Sequence, residues 1–144
     1  MGGQYDVDVL EWSEHQARLL RHLAEGRAGN ERPDWDNIIE EIESVGRSEL
    51  RSVQSLLVLA FLHDLKCEAW PHSRDVPNWR SEARLFRSQA SRSYTPSMRG
   101  RIDLTGLLAD ALRGLPSAMD GVPAGPTAST CPATLDEAFA GLEH

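Results

Sequence analysis

The second predicted helix carries carboxylates whose spacing could hold a cation. Glu40 and Glu43 follow Asp36 on one helical stripe, and carboxylates three or four residues apart can share a hard metal ion. That stripe lies roughly opposite the apolar stripe of Ile38 and Ile42, whereas a metal site in a pocket needs ligands that face inward. The chain also lacks the Glu-x-x-His pairs of di-iron helical bundles. We therefore predict a solvated or arginine-paired acidic face, with no metal and no cofactor.

One histidine follows the longest apolar run of the chain. His63 comes directly after residues 56–62 and shares a helical stripe with Leu59, so its imidazole is predicted to be buried. A buried imidazole needs a partner for each ring nitrogen that can hydrogen-bond. We favour a core histidine bonded to a carboxylate of the acidic helix. The alternative is a general base or metal ligand that acts together with Glu40 and Glu43.

Positive charge is concentrated in the middle of an otherwise acidic chain. The net charge is −7, yet residues 71–101 hold 7 basic and 2 acidic side chains. Residues 1–70 hold 14 acidic and 7 basic side chains, and residues 102–144 hold 6 acidic and 1 basic. Sequence-independent binding of nucleic acid by the whole surface is therefore disfavoured, because phosphate binding needs clustered positive charge.

Within the basic segment, Arg80, Arg84 and Arg87 share one face of a predicted helix beside Trp79. Such a face could bind phosphates while the indole stacks on bases. The same arginines could instead pair with the acidic helix of this chain or of a partner subunit. Because the acidic excess lies in the same chain, we favour internal or subunit pairing over nucleic-acid binding.

Motifs of nucleophilic and nucleotide chemistry are absent from the sequence. There is no Gly-x-Ser-x-Gly turn, no phosphate-binding Gly-x-x-x-x-Gly-Lys and no Gly-x-Gly-x-x-Gly. The sequence therefore favours an interaction or regulatory module without catalytic activity, forming a homodimer or binding another protein. Two alternatives stay open: a metal-assisted phosphodiester hydrolase that uses Glu40, Glu43 and His63, and a metal-free nucleic-acid-binding protein.

Length and composition fit one soluble domain. The 144 residues can close one modest core, and 40% apolar with 26% charged residues is typical of a globular protein. No signal peptide is predicted, and the longest apolar run, of seven residues, is far short of a membrane span. We expect a cytoplasmic protein with no membrane contact and with reduced thiols at Cys67 and Cys131. Residues 142–144 look like the remnant of an expression tag, which leaves 1–141 as a single domain.

Helical periodicity recurs along the chain and strand alternation does not, so the sequence predicts an all-α fold. The expected architecture is a compact bundle of about five helices around a central apolar helix. The first helix is predicted over 8–25, with Asp6 or Asp8 as its N-cap.

The second helix begins at Asp34, and Gly46 is expected to kink or break it. The helical pattern resumes over 47–70. Residues 56–62 are apolar on nearly every side, which predicts a helix buried all round at the centre of the bundle.

Shorter elements are predicted in the C-terminal half. They are a helix capped by Asn78 that runs to about Ser93, a helical stretch that begins at Thr95-Pro96 and continues over 103–113, an extended Pro/Gly-rich surface loop over 114–132, and a short terminal helix with a capping box of Thr134 and Glu137.

Several short motifs are spread over nearly the whole chain. They include Tyr5-Asp6-x-Asp8, Asp34-Trp35-x-Asn37-x-x-Glu40-Glu41-Ile42-Glu43, Gly46-Arg47-Ser48-Glu49, His63-Asp64-Leu65-Lys66, Trp79-Arg80 and Pro96-Ser97-Met98. In these motifs the chain resembles the bacterial domain of unknown function 29 family. The resemblance implies a compact all-α domain and no established activity, cofactor or catalytic residue.

Overall fold

The structure, a computed structural model, confirms the all-α class. It describes residues 3–26, 33–128 and 130–141, so the tag predicted at 142–144 lies outside the described residues. None of the helices in these ranges combines the length and the apolarity that crossing a membrane requires. In chain order the elements are α1 (Gln4–Val7), α2 (Val9–Glu25), α3 (Trp35–Ala69), α4 (Val76–Ser93), the 3₁₀ helix η1 (Pro96–Arg101), α5 (Leu104–Gly114), the strands β1 (Ala118–Met119) and β2 (Val122–Pro123), and α6 (Leu135–Ala140).

The chain forms two compact units. The first unit comprises residues 1–51 and 94–101, and the second comprises residues 52–93 and 102–144. Helix α3 therefore contributes its N-terminal part to the first unit and its C-terminal part to the second. The expectation of a single domain over 1–141 stays a prediction.

Asp8 links α2 to η1 inside the first unit. Its carboxylate accepts the Glu11 amide at 3.0 Å, which makes Asp8, and not Asp6, the N-cap of α2. The same carboxylate accepts the Ser97 amide at 2.9 Å and the Ser97 hydroxyl at 2.7 Å. Burial raises the pKa of Asp8, but these hydrogen bonds lower it further than burial raises it, so the net pKa lies below its ordinary value. The buried carboxylate is thus held in its ionised form by polar groups of two elements.

Helix α3 runs unbroken through Gly46, so the predicted break is wrong. Gly46 is buried against α2, where a Cβ would lie 2.3 Å from Ser13 Oγ and 3.0 Å from Leu10 Cα. The missing side chain lets the two helices approach closely. Glycine costs a helix interior only about 1 kcal/mol, which the packing of a long helix easily outweighs.

The C-terminal part of α3 supplies much of the apolar core of the second unit. Seven of the sixteen buried apolar side chains described in that unit come from it: Val53, Leu57, Ala60, Phe61, Leu65, Cys67 and Ala69. Leu56, Val58 and Leu62 are only partly buried, and Leu59 is 37% exposed. The prediction of burial on every side is therefore wrong.

Helix α4 begins at Val76, two residues before the predicted cap at Asn78. Pro77 fits the first turn of a helix, because its missing amide hydrogen would have no partner there. At the other end of the chain, α6 begins as predicted. The Thr134 hydroxyl accepts the Glu137 amide at 3.2 Å.

The segment predicted as an extended loop, 114–132, contains a short β-hairpin. Strand β1 pairs antiparallel with β2, with Met119 opposite Val122. The turn between them is Asp120-Gly121, with φ of 52° and 78°. Two consecutive positive φ angles are the geometry of the type I′ hairpin turn, which Asp-Gly favours. Each strand is two residues long, so the sequence contains no alternation of apolar and polar residues that could reveal it.

Candidate functional site

The predicted acidic stripe is paired with arginines of its own unit. Glu43 pairs with Arg21 and lies 3.9 Å from Arg47 Nη1, and Glu40 also pairs with Arg47. Both arginines lie outside the basic segment 71–101. The acidic face is therefore arginine-paired within its own unit, and pairing of segment 71–101 with the acidic helix of this chain or of a partner subunit stays a prediction.

His63 is buried, and both of its ring nitrogens have partners in the second unit. Nδ1 donates to the Leu59 carbonyl at 2.7 Å, and Nε2 lies 2.7 Å from a carboxylate oxygen of Glu82. Both partners carry acceptor oxygens, so a ring nitrogen that carries a proton can donate to either of them. The partner is Glu82 on α4 rather than a glutamate of the acidic helix, which corrects the predicted partner. In this arrangement both ring nitrogens are already engaged within the second unit.

Arg87 turns into the core, so the predicted exposed face with Arg80 and Arg84 is wrong. Arg87 is 6% exposed and pairs with Asp64 through both terminal nitrogens, with Nη1 3.2 Å from Oδ1. Its Nε donates to the Ala138 carbonyl at 2.8 Å, which links α4 to α6. Arg80 and Arg84 are exposed on α4. A buried guanidinium needs such a full set of acceptors, and the spacing of arginines along a helix does not reveal where they lie.

The three residues of the hydrolase hypothesis are divided between the two units. Glu40 and Glu43 lie in the first unit and His63 in the second, and each has the partners given above. Within residues 3–26, 33–128 and 130–141, no three His, Cys, Asp or Glu side chains are grouped as metal ligands would be. Burial raises the pKa of the Cys67 thiol, which keeps it protonated and weakly nucleophilic.

Trp79, the aromatic residue predicted for binding, belongs to an aromatic cluster in the second unit. It packs beside Trp70 with ring centroids 6.4 Å apart and planes inclined by 60°. Both indoles are largely buried, with Trp70 5% and Trp79 7% exposed. Cys67, Ala69 and Val76 complete the buried part of the cluster. This tilted pair forms one wall of a cleft, and ring pairs at such distances are favourable beyond the area that they bury.

The β-hairpin lies against this cluster and is fixed there by two hydrogen bonds. Trp70 Nε1 donates to the Val122 carbonyl at 2.9 Å. The Gly125 amide donates to the Ala69 carbonyl at 2.8 Å, at the C-terminal end of α3. The hairpin is thus held to the end of α3 and to Trp70 through β2 and the residues that follow it, and it forms the second wall of a cleft.

The cleft has a volume of about 540 Å³. Its apolar lining comes from both walls: Trp70, Pro71, Trp79, Met119, Val122 and Pro123. Its charged and titratable lining is His72, Arg74, Asp75 and Asp120. The lining therefore contains two carboxylates and one guanidinium. Neither aspartate has an ion-pair partner among the described residues.

The sequence indicates Trp70 and Trp79 as aromatic residues beside the basic segment, but it does not reveal the hairpin that packs on them. Trp70 stands directly before Pro71, at the end of the helical pattern over 47–70. The Asp120-Gly121 dipeptide is the one local signal of the hairpin. Nothing in the sequence shows that this turn packs on Trp70, because the hydrogen bond joins residues 52 positions apart.

Comparisons with known proteins concern the fold and the family. The profile of the DUF29 family, a domain of unknown function, matches residues 4–140. A crystal structure of an α-helical protein of unknown function from Rhodospirillum rubrum is similar to this chain, with a TM-score of 0.69 and 32% sequence identity. The match covers 79% of this chain and 73% of that protein. No curated protein matches the chain. This chain therefore belongs to the DUF29 family.

Proposed function

We propose that this protein is an interaction module that binds a small aromatic amine in the cleft between the Trp70–Trp79 pair and the hairpin. The observation that carries the proposal is the cleft itself. Its volume of about 540 Å³ falls within the range of about 300–1,000 Å³ that is usual for ligand pockets. Apolar and aromatic side chains with a few charged groups are also the usual lining of such pockets.

The walls of the cleft favour binding without large rearrangement. Trp70 is fixed by its hydrogen bond to Val122 and by its contact with Trp79. A preformed site spends little binding free energy on ordering its own side chains. An aromatic ring of the ligand would pack against the indoles and the hairpin, where it gains from contact area and edge-to-face geometry.

The charges of the cleft favour a positive ligand group. Asp75 and Asp120 supply two negative charges, and Arg74 supplies one positive charge. Indole faces attract cations as well. An ammonium group is therefore expected to bind better than a carboxylate on the same ring system.

Three probes with one ring system test this proposal: indole, tryptamine and indole-3-acetate. Each is titrated into ¹⁵N-labelled protein while the four tryptophan indole N–H signals are followed by NMR. We expect tryptamine to shift the Trp70 and Trp79 signals with a Kd of about 1 mM or lower. Indole-3-acetate is expected to bind at least about fivefold more weakly. Trp12 and Trp35 belong to the first unit and serve as internal controls.

Val122→Phe fills the mouth of the cleft and has a matched control. Val122 is 55% exposed on the hairpin, and Val7 is 68% exposed at the end of α1. We expect Val122→Phe to weaken tryptamine binding about tenfold and Val7→Phe to leave it unchanged. Equal affinity of Val122→Phe and the original protein, or no shift at Trp70 with any probe, would overturn the proposal.

We further propose that the protein acts in the cytoplasm, with both thiols reduced, and that it self-associates. Cys67 and Cys131 are free, which supports the first part. The opposite net charges of segments 1–70 and 71–101 support self-association. Sedimentation equilibrium over a salt series is expected to show a dimer that weakens as salt rises. A monomer at every concentration and salt level contradicts self-association.

A further inference from the structure

The first unit contains a second pocket, which is polar and lined by four arginines from three elements. Arg18 and Arg21 come from α2, Arg47 from α3 and Arg101 from the end of η1. Glu14 and Glu43 complete the lining, and the volume is about 300 Å³. We propose that this pocket, here called the arginine pocket, binds a phosphate group that carries one proton.

The carboxylates of the pocket fix the guanidinium groups in place. Glu14 pairs with Arg101 through two nitrogens, with Nη2 2.6 Å from Oε2. This hydrogen bond raises the pKa of Arg101, so its charge persists at every pH of interest. Glu43 pairs with Arg21 and lies 3.9 Å from Arg47. Side chains held by such bonds lose less freedom when they bind an anion.

The pocket keeps an excess of hydrogen-bond donors and of positive charge. Each guanidinium has five N–H donors, and the ion pairs described above use only a few of them. The lining holds four positive and two negative side chains. Glu40 pairs with Arg47 without lining the pocket. Arg18 is exposed and has no carboxylate partner among the described residues.

Donors and acceptors together indicate which oxyanion fits. A phosphate oxygen without hydrogen accepts from a guanidinium, and Arg prefers such contacts. A P–O–H group can donate to a free lone pair of Glu14 or Glu43, because a carboxylate oxygen has capacity for more than one hydrogen bond. Sulfate has no proton at neutral pH, so the same carboxylates repel it. The pocket is therefore expected to prefer phosphate over sulfate.

The test is a titration with inorganic phosphate, followed by NMR at the arginine Nε–H signals. Ionic strength is held constant with chloride, so that screening alone changes nothing. We expect saturable shifts at the signals of Arg18, Arg21, Arg47 and Arg101. Sulfate is expected to bind at least about fivefold more weakly. Equal binding of sulfate and phosphate, or uniform shifts of all arginine signals, would overturn the inference.

Arg18→Gln separates binding from stability. Arg18 is exposed and unpaired within the described residues, so we expect this variant to keep the melting temperature of the original protein. Its phosphate affinity is expected to fall about fivefold or more. Arg92→Gln, at an exposed arginine of α4, is the matched control and should bind phosphate unchanged. If Arg18→Gln binds phosphate as tightly as the control, the proposal is wrong.

Discussion

The two compact units of this protein are stabilised by different means. Among the described residues, the first unit buries only four apolar side chains, Leu10, Ala17, Ile39 and Met98, whereas the second buries sixteen. The first unit relies on the close approach at Gly46 and on the buried carboxylate of Asp8. The second relies on an apolar core that contains one buried ion pair.

The difference extends to the kind of pocket that each unit forms. In the first unit, hydrogen bonds and ion pairs join the elements. Charged side chains of these elements line the arginine pocket. An apolar core with two tryptophans leaves an aromatic cleft at its edge. The two linings differ accordingly, and the ligands proposed for them differ in the same way.

The largest effect is expected from Arg87→Met in the second unit. The variant leaves Asp64 without its partner and the Ala138 carbonyl without its donor. Removing one member of a buried ion pair costs about 3–5 kcal/mol of unfolding free energy. Urea denaturation measures this loss of unfolding free energy. Arg84→Met, at an exposed position, is the matched control and is expected to lose about 0.5 kcal/mol or less. A loss at Arg87 as small as that at Arg84 would show that the second unit does not depend on this pair.

Gly46→Ala tests the close approach in the first unit. An added Cβ would lie 2.7 Å from Leu10 Cδ1 and 3.0 Å from Leu10 Cα, and the backbone atom cannot give way as a side chain can. Alanine gains up to about 1 kcal/mol in helix propensity over glycine. The added methyl group, however, must push α2 away from α3, and such overpacking costs about 1–3 kcal/mol. We expect a net loss of about 1 kcal/mol in the free energy of thermal unfolding. Gly100→Ala, with open space around its Cβ, is the control. A stabilised Gly46→Ala variant would refute the packing role.

Asp8→Ala is expected to lower the unfolding free energy by about 2 kcal/mol. The variant removes a helix cap and leaves the Ser97 donors without their acceptor. The effect depends on pH. The pKa of Asp8 is lowered in the folded state, so its contribution is complete above the ordinary value of 3.8 and is lost as pH falls through the lower, folded-state pKa. The difference in unfolding free energy between the variant and the original protein should therefore be constant near pH 7 and shrink as pH falls below 3.8. Asp6→Ala, at an exposed position, should leave the pH profile unchanged.

Local features of the fold were predictable from sequence, and contacts distant in sequence were not. The Asp8 and Thr134 caps follow from side-chain chemistry within three residues. The break at Gly46 was mispredicted, because glycine signals both a helix end and a close helix contact. Only the partner helix distinguishes these two roles.

The site residues show the same limit. Arg80, Arg84 and Arg87 look equivalent on a helical projection, and only the position of Asp64 makes Arg87 a core residue. Trp79 was identified by its type, but its cleft needs the hairpin, which lies more than 35 residues later in the chain. The pairing of Arg101 with Glu14 spans 87 positions and leaves no local pattern.

The most direct test of the cleft as the binding site is a measurement of intermolecular NOEs between bound tryptamine and the protein. We predict NOEs from the tryptamine ring protons to the Trp70 and Trp79 indoles and to the Val122 methyl groups. NOEs to Trp12 or Trp35 instead, or none to Val122 at saturating tryptamine, would contradict the account.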